Sequence, residues 1–181
     1  MYVRRLVSLK ERLELYEEAA SAPRPQEGQS APAAKTVFVV HGRSEAPKQA
    51  VARFIEQVSS MKPIVLHEQP NRGLTITEKF ENYAAAAAFA LILLTGDDEG
   101  GLLGSGKLHR RARQNVVFEL GFFIAKLGRT RVAVLHEEEV ELPSDMSGLL
   151  YTPLDAGGAW KMDLAREMRA AGFEVDLNRA L

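Results

Sequence analysis

The chain of 181 residues contains no cysteine. Disulfide frameworks, thiol catalysis and cysteine-ligated zinc are thereby excluded, and the usage fits a reducing cytoplasm. An excess of charge of either sign is also missing. Lys and Arg number 23 against 24 Asp and Glu, which leaves a formal net charge of −1 and a pI near 6.4. Such a chain has no bulk attraction for nucleic acid or anionic membrane, so neither is expected as a partner. Long hydrophobic runs are absent too. The longest, Ala84 to Leu94, has 11 residues, where about 20 are needed to span a bilayer. The opening Met1-Tyr2-Val3-Arg4-Arg5 lacks the apolar core of a secretory signal. These absences leave a cytoplasmic protein with one enzymatic or interaction domain, long enough to build its own core.

What is present divides at residues 20 and 35. Residues 1–20 are charged, with Tyr2, Leu6, Leu9, Leu13 and Tyr16 on one helical seam. That seam lasts barely two heptads, and either an oligomerisation helix or a helix packed on the domain accounts for it. Residues 21–35 (SAPRPQEGQSAPAAK) offer almost nothing to bury and read as a flexible linker. From residue 36 to 181, apolar β-branched runs alternate with helical patterns. Thr36–His41, Pro63–His67, Phe89–Thr95, Arg131–His136 and Leu150–Leu154 read as strands. Ser44 is expected to cap a helix through Val51, Phe54, Ile55 and Val58, and Thr75 with Glu78 forms a capping box before Phe80 and Tyr83. Arg113–Leu127 reads as an apolar helix closed by Gly128, and a last helix runs from about Trp160 to Ala171. Unalternating strands, each followed by a helix, predict an α/β fold, a flavodoxin-like doubly wound five-stranded parallel sheet.

In such sheets ligands bind at the carboxyl ends of the strands. Those ends carry His41-Gly42-Arg43, His67-Glu68-Gln69, Thr95-Gly96-Asp97-Asp98 and His136-Glu137. His41, His67 and His136 end three different strands, but no ligand pair has metal-site spacing and the strand order separates His136 from the others, so no metal is expected. Gly101 to Lys107 fits the beginning of a phosphate-binding loop, yet Leu108 stands where Ser or Thr should hold magnesium; residues 96–110 read as a Gly-rich loop. Glu119 is the anomaly. It lies within Asn115-Val-Val-Phe-Glu-Leu-Gly-Phe-Phe123, and burying an unpaired carboxylate costs several kcal/mol. Either Arg111, Arg113 or Lys126 pairs with it, or it faces a ligand pocket at the sheet edge.

Five segments occur in order that together resemble a known family: Val37-Phe-Val-Val-His-Gly42, His67-Glu-Gln-Pro-Asn-Arg-Gly73, Leu93-Leu-Thr-Gly-Asp-Asp98, Arg113-Gln-Asn-Val-Val-Phe-Glu-Leu-Gly121 and Leu142-Pro-Ser-Asp-Met-Ser-Gly148. The chain is similar over residues 36–181 to the bacterial TIR-like (Toll/interleukin-1 receptor-like) nucleotide-binding proteins. The resemblance implies cleavage of NAD⁺ to nicotinamide and ADP-ribose, linear or cyclic, by an assembly-activated antiviral defence effector. NAD⁺ is then the substrate and no separate cofactor is expected. The family's catalytic glutamate falls on Glu119, and its Leu-Pro-Ser-Asp aspartate, near the bound nucleotide, falls on Asp145. Loop 69–74 corresponds to the segment that gates the pocket and contacts a neighbouring subunit, so self-association through it, and through helix 1–20, is expected. With 34 residues outside the matching region no fused sensor is expected, and the trigger is expected from another chain, a separate sensor protein, or through the short helix 1–20.

The implied chemistry suits one glutamate. Nicotinamide leaves a cationic pyridinium as a neutral amine and needs no general acid, unlike an ordinary glycoside. A carboxylate in an apolar surround can stabilise the oxocarbenium-like transition state electrostatically. His41, Gly42, Arg43, Gln69, Arg72, Asp97, Phe118 and Asp145 are expected to contact substrate. Arg43 and Arg72 would meet phosphates, and Phe118 or Tyr83 would stack on a ring. The other readings are a non-catalytic TIR-type interaction module and a nucleotide-binding regulator.

Overall fold

A run of branched apolar residues with no polar alternation, Thr36–Val40, forms the first strand β1 of a five-stranded parallel sheet. In this computed structural model residues 36–70, 73–143 and 148–180 are described, all within the unit of residues 34–181. Helix 1–20, linker 21–35, Arg72 and Asp145 lie outside the described residues.

The elements follow as helix α1 (Glu45–Val58), strand β2 (Ile64–Val65), helix α2 (Ile76–Ala85), strand β3 (Ala87–Leu94), strands β4 (Asp98–Gly100) and β5 (His109–Arg111), helix α3 (Gln114–Leu127), strand β6 (Val132–His136), strand β7 (Tyr151–Pro153) and helix α4 (Ala159–Ala170). The sheet order is β2-β1-β3-β6-β7, with every pair parallel. That is the flavodoxin-like order expected, and β1 and β3 flank its switch point. Both faces of the sheet are covered. Phe54, Ile55, Trp160, Leu164 and Met168 pack on one face, and Phe80, Val116, Leu120 and Phe123 on the other. Coverage on both sides is why β1, β3 and β6 needed no alternation.

Local chemistry explains the boundaries. Thr75 accepts from the Glu78 backbone N–H at 3.2 Å while the Glu78 carboxylate accepts from Thr75 N–H at 2.8 Å, which completes the capping box. That backbone donor holds the Glu78 carboxyl below its usual range. Helix α2 then ends inside a uniform alanine run, where propensity gives no stop signal. The sheet supplies it: Ala87 pairs with Thr36 and Phe89 with Val37, so Ala88 bulges and the strand begins two residues before the aromatic that sequence pattern chose. Gly128 closes α3 at φ 76°, its N–H on Ile124 C=O at 3.0 Å. Asp155, not a residue next to the helix, caps α4 through the Ala159 and Trp160 N–H groups.

Three expectations require correction. Ser44 stands at the N-cap of α1 but makes no cap hydrogen bond; its hydroxyl donates to Asp97 Oδ1 at 3.3 Å instead. The strand expected at 63–67 has only two residues, because Pro63 has no N–H for the ladder and Leu66–Glu68 turns into a 3₁₀ helix. The Gly-rich loop 96–110 contains an antiparallel ribbon, with Asp98 opposite Arg111 and Glu99 opposite Arg110. Arg110 turns its guanidinium away from Glu99 to Glu137, and strands built from charge carry no hydrophobic period to read.

Candidate active site

Strand β1 ends at Val40, and the chain turns through His41 and Gly42 into α1 at the carboxyl edge of the sheet. Gly42 is buried there, and a Cβ on it would overlap the Asp97 carboxylate. Asp97 ties the β1–α1 turn to the end of β3. Its Oδ2 accepts from Thr95 Oγ1 at 2.6 Å and from the Arg43 backbone N–H at 3.1 Å, and its Oδ1 from Ser44. Glu137 braces the next strand in the same way, accepting from Gly96 N–H and from Arg110, each at 3.0 Å. Lys48, 5% exposed, pairs with Glu45 at 2.6 Å and Glu68 at 3.1 Å. Burial opposes its charge, but the two carboxylates outweigh that and raise its pKa. The rim of the site is therefore held by charge-assisted hydrogen bonds, several of them partly buried, which are about twice as strong as neutral ones. Replacing Asp97 by Ala strips three donors at once; an unfolding free energy lower by about 2–4 kcal/mol is expected in urea titration, with loss of the Gly42 turn.

Beside this rim opens a cavity of about 370 Å³ lined by Phe38, Val39, Val40, His41, Gly42, Leu66, Ile76, Lys79, Arg113 and Glu119. Its size falls in the roughly 300–1,000 Å³ range of small-molecule sites. Glu119 comes from α3, whose buried stripe is Val116, Leu120 and Phe123. It follows Val116 by three positions, which sets it on the flank of that stripe, towards the sheet edge and not towards solvent. Among the described residues no hydrogen bond holds its carboxylate, and desolvation raises its pKa to about 7 against a partial opposing pull from Arg113. Of the two readings of Glu119 from sequence, a pocket-facing acid and an acid beside Arg113, the structure contains elements of both: Arg113 shares the cavity without neutralising the acid.

Of the other residues expected to contact substrate, His41 and Gly42 line the cavity. Gln69 does not; its side-chain amide donates to Val65 C=O at 3.3 Å. Asp97 is a brace behind the turn. Arg43 is exposed and offers Asp97 only its backbone. Phe118 is 71% exposed and lies outside the cavity lining, so the aromatic next to the acid is not its wall. Tyr83 packs instead against the core beneath α3. Lys79, which shares the cavity with Glu119 and Arg113, was not expected there. A lysine just after a capping box reads as solvated, yet Lys79 is 5% exposed. The available signal was position: Lys79 follows Ile76 by three, on the face that Phe80 turns inward.

The phosphate-loop reading of Gly101–Lys107 fails on geometry. The segment is the exposed tip of the β4–β5 ribbon, closed by Ser105 N–H on Leu102 C=O at 3.0 Å, and does not open a helix. His136 lies on β6, two strands from β1, with its Nδ1 2.8 Å from the Glu137 carbonyl. No group of three or more His, Asp or Glu able to hold a metal ion occurs among the described residues. Nor is any described helix long and apolar enough to cross a membrane.

The chain matches, over residues 36–156, the family model described as CAP12/Pycsar effector protein, TIR domain. The chain belongs to this TIR-domain family of anti-phage effectors. It is 43% identical over 168 residues to the Escherichia coli K12 protein called Uncharacterized protein YuaY, covering 93% of this chain and 55% of that one. It is 31% identical over 125 residues to Protein tirC of Dictyostelium discoideum, 64% of this chain and 62% of that one. The Pycsar effector protein BcPycTIR of Burkholderia cepacia is 42% identical over 67 residues, 36% of this chain and 22% of that protein. The chain thus spans little more than half the length of the first two relatives. The TIR match ends at Pro-Leu-Asp-Ala156, so it takes in the whole cavity and all five sheet strands, and leaves α4 outside.

Proposed function

We propose that this TIR domain is an NAD⁺ glycohydrolase with Glu119 as its catalytic carboxylate. The observation that carries the reading is an acid without a hydrogen-bond partner among the described residues, set in a mainly apolar cavity at the carboxyl edge of a doubly wound sheet. A carboxylate in that position costs stability and is retained where chemistry uses it.

The bond from the ribose anomeric carbon to the pyridinium nitrogen breaks heterolytically. Its electron pair goes to the nitrogen, so nicotinamide leaves neutral and positive charge develops on the ribose. Ionised Glu119 faces that charge in a medium of low polarity, where a fixed anion acts strongly. Water then adds to the anomeric carbon and loses a proton, giving ADP-ribose; capture by an internal nucleophile of the adenine would give the cyclic product. The cationic pyridinium itself favours the ionised acid in the complex.

The pH dependence follows. Only ionised Glu119 is active, and in the free protein it ionises at about 7. Log kcat/KM for nicotinamide release should therefore rise with unit slope below pH 7 and level off above it. A flat profile from pH 5 to 8 would show that another group limits the reaction.

Assembly belongs to the same proposal. Ile76, exposed at the start of α2 and two positions after loop 69–74 in the sequence, lines the cavity. A neighbouring copy seated on this loop would close the cavity, and a separate sensor protein would supply the trigger. Turnover that rises more than linearly with protein concentration is the expected sign.

A further inference from the structure

Among the large apolar side chains exposed in the described residues, Leu102, Leu103 and Leu108 all belong to the tip of the β4–β5 ribbon. Exposed hydrophobics scattered singly need no explanation; a group of them on one projecting turn marks an interaction surface. The tip is a built turn. A Cβ on Gly101 would overlap the Lys107 carbonyl, so glycine there lets the two arms close. The Ser105 N–H bonds Leu102 C=O at 3.0 Å, and the Ser105 hydroxyl accepts from Lys107 N–H at 3.2 Å. At the base, Arg110 clamps the ribbon to Glu137 at 3.0 Å, and Arg111 lies over Gly100. A turn ordered in advance loses little entropy when a partner covers it.

The same chain carries a hollow that matches this tip. A second cavity of about 380 Å³ has Ala112, Val117, Leu142 and Pro143 as its apolar walls and Glu141 as an acid in its lining. None of the chain's own tip leucines enters that lining. The charges are complementary as well. Lys107 on the tip and Glu141 at the cavity are both exposed, and each makes hydrogen bonds only through its backbone among the described residues. The neighbouring cations are engaged elsewhere, Arg110 with Glu137 and Glu139 and Arg111 over Gly100.

We propose that the leucine tip of one copy of this chain seats in the Glu141 cavity of a second copy, with Lys107 meeting Glu141. Tip and cavity are different patches, so the contact is heterologous and repeats from copy to copy until rotation closes it into a ring. It is a surface separate from loop 69–74 and does not rest on the glycohydrolase reading.

The test is sedimentation of the full chain over a range of concentrations. Leu102→Ser and Leu103→Ser should each weaken self-association about 10-fold, the loss of one buried leucine. Lys107→Glu or Glu141→Lys alone should weaken it about 5- to 10-fold, because an attraction becomes a repulsion. The two charge changes together should restore it to within about threefold. All four side chains are exposed, so thermal midpoints should not move. The chain has no cysteine, which permits a direct check. Lys107→Cys protein mixed with Glu141→Cys protein should be joined into a mixed dimer by a short bis-maleimide. Lys107→Cys protein joined chiefly to itself would put tip against tip and overturn the assigned seat. Association unmoved by the leucine changes, or not restored by the paired charge changes, would place assembly on another surface and sink the inference. A chain that stays monomeric throughout and gives no mixed dimer would do the same, leaving the leucines to a partner of another kind. None of these readouts involves turnover, so failure of nicotinamide release would count against the glycohydrolase reading alone.

Discussion

Replacing Glu119 by Gln is expected to abolish nicotinamide release, with kcat down about 10³-fold, and at the same time to make the protein more stable at pH 8. The first effect follows from removing the one anion opposite the developing ribose charge; loss of a single electrostatic stabiliser typically costs about 10²–10³ in rate. The second follows from proton linkage. Below pH 4.5 the carboxyl is protonated in folded and unfolded chains alike and costs nothing. Between 4.5 and about 7 the unfolded chain gives up its proton first, so stability falls as pH rises, and above 7 the full cost is present. A group that still sees some solvent warrants a discounted figure of about 2 kcal/mol. Gln keeps the shape without the charge, so Glu119→Gln should raise the thermal midpoint by about 4–8 °C at pH 8 and leave it unchanged at pH 4. A catalytic residue that is lost with a gain in stability is the mark of a site held at a cost. An inactive variant with the wild-type midpoint at both pH values would show that Glu119 is solvated and that the cavity does not raise its pKa.

Phe123→Ala should have the largest effect on stability alone, a loss of about 4 kcal/mol. Phe123 has no exposed surface. Its ring lies 5.0 Å from Phe38, 5.8 Å from Phe80 and 5.5 Å from Phe122, the last two edge-on. Truncation leaves a ring-sized void where α2, α3 and β1 meet, and forfeits aromatic contacts worth about 0.5–1.5 kcal/mol beyond their area. Because Phe38 also lines the Glu119 cavity, catalysis should fall with stability. Phe123→Met, which refills much of the void with a flexible side chain, should recover some of each. The measurement is a urea midpoint with unchanged slope; a midpoint within 0.5 kcal/mol of wild type, against a domain total of about 5–15 kcal/mol, would show that the cluster does not bear on the fold.

The two variants separate what the linear chain conveys from what it does not. The parallel sheet was legible because Val37–Val40, Leu91–Leu94 and Val132–Leu135 are apolar without alternation, a pattern that only a doubly covered sheet satisfies. The α2 start was legible because Thr75 and Glu78 bond within four residues. Glu119 was legible as an anomaly, since an acid amid Val116, Leu120 and Phe123 conflicts with helix burial wherever that helix packs. Each of these signals is local or periodic, and local energetics act on residues near in sequence.

The rest depends on residues brought together over long separations. Ser44 has the right chemistry for a cap, but Asp97, 53 positions away, takes its hydroxyl. Asp98 and Glu99 look like irregular loop until the backbone of His109–Arg111 stands across from them as a second strand. Lys79 looks like a surface cation; only the crossover that sets α2 and α3 on the same side of the sheet brings it to one cavity with Arg113 and Glu119. The sequence by itself determined the fold class, the helix starts and the presence of an acid that must be stabilised or used. The tertiary structure alone decided which cations share its cavity and which aromatics do not, because charge and shape complementarity act through space, and the chain's periodicities carry no record of distance.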